Sequence, residues 1–91
     1  MTDVIFRKFK DGDVIALFPG LPGDNSPNTC SSYQHIGQHG AASVDLVGDT
    51  KLATPEEYAP LQAELVRIGY ADLRVIKRIR YDHYQARKAQ L

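Results

Sequence analysis

Two of the three histidines of this chain, its only cysteine, a tyrosine and two glutamines fall within Cys30-Ser31-Ser32-Tyr33-Gln34-His35-Ile36-Gly37-Gln38-His39-Gly40. These groups donate, accept and stack, and an imidazole titrates near neutral pH. Three chemistries follow: metal ligation, acid–base catalysis, and ligand binding without catalysis. Metal ligation is disfavoured. On an extended strand, His35 and His39 stand ~13 Å apart, too far for both rings to reach one ion at ~2.0–2.1 Å. A helix would align them, but Gly37 and Gly40 oppose one. No second cysteine completes a tetrahedron, so no metal and no cofactor are expected.

Catalysis is the second possibility. Two histidines flanking a phosphodiester divide general-acid and general-base work between them, with a cation such as Arg78 on the phosphate. The His-x-Ser/Thr pattern of two-histidine phosphoesterases is absent, and nothing in the sequence activates Cys30 as a nucleophile. Binding alone asks less. Gly37 leaves a gap in the side-chain row, Tyr33 offers a ring face, and Gln34 and Gln38 offer amides. The expected ligand-binding set is Tyr33, His35, Gly37, Gln38, His39 and Arg78, and the plain alternative is a half-buried strand bonded to its own backbone. His83, alone among charges near the C-terminus, reads as solvated, and Cys30 as a small buried hydrophobe.

The elements that must position this segment are few. The chain has 91 residues, net charge zero and a single cysteine. That is room for one domain with a thin core, in which a deep, dry active site is not affordable. Without a disulfide, and with no apolar leader in MTDVIFRKFKDGD or apolar run of membrane length, the expected location is cytoplasmic. The C-terminal third is basic, carrying Arg74, Lys77, Arg78, Arg80, Arg87 and Lys88 against Asp82. Such a run can recruit phosphates or an acidic partner, but it is expected to rest on the chain's own acidic residues or on a second copy.

Val4–Phe9 reads as a strand, Lys10-Asp11-Gly12-Asp13 as a hairpin turn, and Val14–Phe18 as a central strand covered on both faces. Pro19–Asn28 reads as a loop and Ser32–Gln38 as a third strand. Ser43–Gly48 is either one helical turn capped by Ser43 or irregular chain. Thr54-Pro55-Glu56-Glu57 combines a capping box with proline at the first helical position. The helix it opens ends at Gly69, buries Tyr58, Leu61, Leu65 and Ile68, and lets Tyr70 fold back on Val66. Pro60 inside it predicts a kink or a late start. Ala71–Tyr81 alternates as a last strand, and 82–91 forms a helical or frayed tail. The fold class is α+β: an antiparallel sheet of about four strands with one main helix packed on it, as a single domain over 1–81 with a tail over 82–91. Self-association as a dimer is expected through apolar surface such as Ile76 or Leu91.

Tyr33-Gln34-His35-Ile36-Gly37-Gln38-His39-Gly40, followed by Thr50-Lys51-Leu52-Ala53-Thr54-Pro55-Glu56-Glu57-Tyr58, resembles small uncharacterised proteins of phages and bacterial mobile elements. The likeness runs from the Asp13–Pro19 strand to the Glu64-Leu65 helix, with Pro60 unusual against it. It transfers no activity to any residue. It implies an accessory protein acting on host processes, host defence among them. The expected function is a non-catalytic binding module for a nucleotide-like ligand, a nucleic acid or a host protein. The alternatives are a metal-independent phosphodiesterase or nuclease using His35 and His39, and an assembly component of a phage particle.

Overall fold

The first strand, β1 (Thr2–Lys8), pairs antiparallel with β2 (Val14–Pro22) across the Asp-Gly turn the sequence predicts. Gly12 sits there at a φ of 97°, the left-handed region that costs glycine nothing, and Phe9 donates its N–H to the Asp13 carbonyl at 2.8 Å. The computed structural model describes residues 1–34 and 38–91. Within them the chain continues through β3 (Thr29–Gln34), β4 (Gln38–Ser43), a 3₁₀ helix (Val44–Asp49), β5 (Lys51–Leu52), α1 (Pro55–Arg67), β6 (Leu73–Val75) and α2 (Tyr81–Ala89).

The architecture is α+β, with a sheet of six strands rather than about four. The order is β4-β3-β2-β1-β5, and β6 pairs with the Thr2–Val4 half of β1. All pairings are antiparallel except β6 with β1, which is parallel. The expected strand over Ser32–Gln38 is instead two strands of a hairpin, β3 and β4. The expected last strand over Ala71–Tyr81 shrinks to Leu73–Val75. Its intended partner edge on β1 is shared, because β5 already occupies Arg7 and Lys8.

Strand alternation splits the core in two. Val4, Phe6, Ala16, Phe18 and Tyr33 face one side and pack against Leu61 and Leu65 of α1. Ile5, Ile15, Leu17 and Cys30 face the other, covered by Val44, Leu46 and Val47 of the 3₁₀ helix and by Ile76 and Ile79. β2 is thus buried on both faces, as its unbroken apolar run predicts. Ile76, partly buried, packs against the chain's own core.

Helix α1 opens as expected. Thr54 Oγ1 accepts from the Glu57 N–H, and Glu57 accepts from the Thr54 N–H. Lys8 of β1 reaches the same Glu57 carboxylate, tying helix start to sheet. The helix begins at Pro55 and runs through Pro60, so there is no late start. It ends in a Schellman pattern: Tyr70 donates to Leu65 and Gly69, at a φ of 122°, donates to Val66. Ile68 is exposed rather than buried, because it is the cap residue after Arg67, where the backbone has left helical geometry. Tyr70 does not return to the exposed Val66. Its ring stacks on Phe18 with centroids 4.9 Å apart, where a large buried face is available. Phe6 stacks likewise on Tyr58, at 4.3 Å.

Pro19 and Pro22 are strand residues, not loop. The β2–β3 register jumps from Phe18↔Ser31 to Pro22↔Cys30, leaving Pro19-Gly20-Leu21 as a bulge. β1 pairs with β2 only between Val14 and Leu17, so beyond that point a proline removes no ladder bond on that side. Helix α2 fills the space: Arg87 donates to the Pro19 carbonyl at 2.6 Å and to Pro27 at 2.9 Å, and Gln90 donates to Gly20 at 2.8 Å. The expected tail is an anchored helix.

Candidate functional site

The β3–β4 hairpin carries the polar segment. Its register places His39 directly opposite Tyr33, on the face that α1 covers. There the buried Tyr33 ring meets the exposed His39 imidazole edge-on, with centroids 4.7 Å apart. Tyr70, delivered by the turn that ends α1, brings its hydroxyl to 3.1 Å from His39 Nε2. The imidazole is therefore oriented from two sides, with Nε2 engaged and its outer face open. Tyr70 was the residue that sequence reasoning missed. Its place after the helix-ending glycine was legible, but not the strand it would touch.

Tyr33 and His39 are thus brought together. Arg78 is not: it lies between Ile76 and Ile79, which pack on the opposite face of the sheet. His35 and Gly37 lie outside the described residues, and Gln38 is described through its backbone, which pairs with Gln34. On the reverse face of the hairpin, Ile15, Ser32, Gln34, Gly40, Ala42 and Leu46 line a shallow groove of about 370 Å³. Ser32 Oγ donates to the Gly40 carbonyl at 3.0 Å, which fixes the two strands at that point. Gly23, in the loop after β2, passes close over the hairpin. A Cβ there would stand 2.5 Å from the Cys30 carbonyl oxygen and 2.8 Å from Ala41 Cα, so only glycine fits.

The other reactive side chains are engaged elsewhere. Cys30 is fully buried, and burial pushes its thiol up against the opposing charge of Arg87, which keeps it protonated and unreactive. His83 is buried rather than solvated. Its Nδ1 accepts the Arg80 N–H at 2.9 Å, so Nε2 carries the proton and donates to Asp3 Oδ2 at 2.8 Å. With both ring nitrogens held, His83 has none to offer a substrate. Asp3 also accepts from Arg74 at 2.6 Å and from Arg80 at 3.3 Å. The Arg74 guanidinium, helped by His83, holds its carboxyl far below the usual carboxylate range in spite of burial. Two of the C-terminal cations therefore rest on the chain's own aspartate.

Among the described residues no group of three His, Cys, Asp or Glu side chains is arranged to hold a metal, and no helix is long and apolar enough to cross a membrane. Comparison of the chain with protein-family models, with curated proteins and with solved structures finds no match.

Proposed function

We propose that this chain is a non-catalytic binding module whose recognition surface is the β3–β4 hairpin. On the strength of the resemblance above, we place it among the accessory proteins of phages and mobile elements. The observation that carries the reading is His39: exposed, oriented by Tyr33 and Tyr70, and carried on an edge strand whose reverse face lines a shallow groove. A pre-oriented imidazole and phenol on a rigid sheet bind a planar or hydrogen-bonding group at little entropic cost. The absence of Arg78 from this face leaves a nucleotide's phosphates without that partner, which tilts the reading toward a macromolecular ligand over a free nucleotide.

The test is native mass spectrometry of the protein isolated from its host, followed by incubation with mononucleotides and short RNA. The reading predicts a stoichiometric partner or ligand retained by the wild type, lost from His39→Ala, and chemically intact. Turnover of nucleotide or RNA that disappears in His39→Ala would replace it with the phosphodiesterase reading. Retention unchanged by His39→Ala would move the site elsewhere.

A further inference from the structure

The two edges of the sheet are built differently. On one side β1 is flanked by β5, two residues long, and β6, three residues long, which carry Lys51 and Arg74. Short, charged edges are how sheets avoid pairing with other chains. On the other side β4 runs for six residues, Gln38–Ser43, with no Lys, Arg, Asp, Glu or Pro, and pairs with β3 without a bulge. No such protection operates there.

The backbone of that edge is open in a definite pattern. Val44 donates to the Asn28 carbonyl at 3.0 Å, making 28 and 44 a hydrogen-bonded pair. By alternation along the ladder, Cys30↔Ala42, Ser32↔Gly40 and Gln34↔Gln38 are the bonded pairs. His39, Ala41 and Ser43 therefore direct their N–H and C=O groups away from β3. All three residues are exposed; among the described residues the one group already engaged is the Ser43 carbonyl, which as the cap of the 3₁₀ helix accepts its first N–H and keeps a second lone pair.

We infer that this edge takes a second copy of the chain, paired antiparallel about a twofold axis through Ala41. In that register Ala41 exchanges reciprocal N–H···O bonds with its copy, and His39 exchanges them with the partner's Ser43. Gly40 faces the partner's Ala42. The segment is self-complementary: no like charges meet, and the small side chains flanking the axis leave both backbones free to approach. Pairing also closes the assembly, because the edges that remain are the short, charged ones. The result is one continuous sheet through both copies, with the two His39 rings on the same face and each beside a serine of the other chain. Another protein's strand fits the open backbone groups too, but only self-pairing makes use of the symmetry of small residues about Ala41.

The test is sedimentation of the full chain from about 10 to about 500 µM, the range for a small interface, with residue-resolved amide exchange at both ends. The inference predicts a monomer–dimer equilibrium in which the His39, Ala41 and Ser43 amides exchange at least about tenfold more slowly in the concentrated sample. Ala41→Lys, which sets two ammonium groups against each other at the axis, should weaken association at least about tenfold. If that variant does not fold, the wild-type exchange pattern still decides. A chain that stays monomeric throughout, or a dimer in which those three amides exchange as fast as in the dilute sample, overturns it.

Discussion

Asp3 Oδ2, in the first strand, accepts the Nε2 proton of His83, in the last helix, at 2.8 Å across 80 residues of chain. The same histidine takes the N3 role of a capping box by accepting the Arg80 N–H. One buried imidazole thus starts α2 and fastens it to β1. An Asp–His pair suggests catalysis when met in isolation. Here the second nitrogen is spent on backbone, and the pair is a clasp.

The clasp makes stability depend on acid. A carboxyl held below its unfolded value contributes stability that is complete above that value and lost as pH falls toward the folded one. For Asp3 the loss begins near pH 5 and continues below the unfolded carboxylate range of about 3.9. Asp3→Asn should cost about 2 kcal/mol at pH 7, where a charged acceptor is replaced by a neutral one. The penalty should shrink steadily toward pH 2. Urea midpoints of both proteins at pH 7, 4 and 2.5 measure it, and a penalty independent of pH would show that the charge is idle.

Arg87 is nearly fully buried, and its partners are two carbonyls of the β2 bulge and its following loop, not a carboxylate. Arg87→Met keeps much of the stem's packing but strands those acceptors, at about 1–3 kcal/mol each where water cannot reach them. The thermal midpoint should fall by at least about 8 °C, with α2 amides losing exchange protection first. An unchanged midpoint would mean that the Arg87 bonds add nothing to the hold of His83 and Gln90 on the sheet.

Leu65 and Ile68 separate core from surface on one helix. Leu65→Ala should cost about 2–5 kcal/mol, and Ile68→Ala less than about 0.5 kcal/mol. Equal effects would contradict the helix orientation.

That pair also shows where sequence reading stops. Local signals carried far: the Asp-Gly turn, the central strand, the capping box and the helix-ending Gly69 are each set by neighbouring residues, and each stands where their chemistry puts it. What was not legible depends on partners distant in sequence. Pro19 and Pro22 read as turn residues because nothing local tells that β1 stops pairing at Leu17. His83 reads as solvated because charges surround it, and Arg87 as one more cation for an acidic partner, because α2 is polar overall. Their four-residue spacing on one helical face was the available signal, but its partners lie at Asp3 and Pro19. At the site, the cross-strand pair Tyr33 and His39 depended on a hairpin where one strand was expected. Tyr70 depended on which strand the end of α1 would meet.

The central claim is that His39 stands on the surface for a partner and is not part of the scaffold. Thermal unfolding of His39→Ala, next to wild type, tests it without knowledge of the ligand. Loss of an exposed ring whose contacts are one edge-on aromatic and one phenol should cost at most about 1 kcal/mol, a fall of no more than about 4–8 °C in a domain of this size. A fall beyond about 10 °C would mean that the imidazole holds β4 and the end of α1 in place, and the hairpin would then be scaffold rather than site.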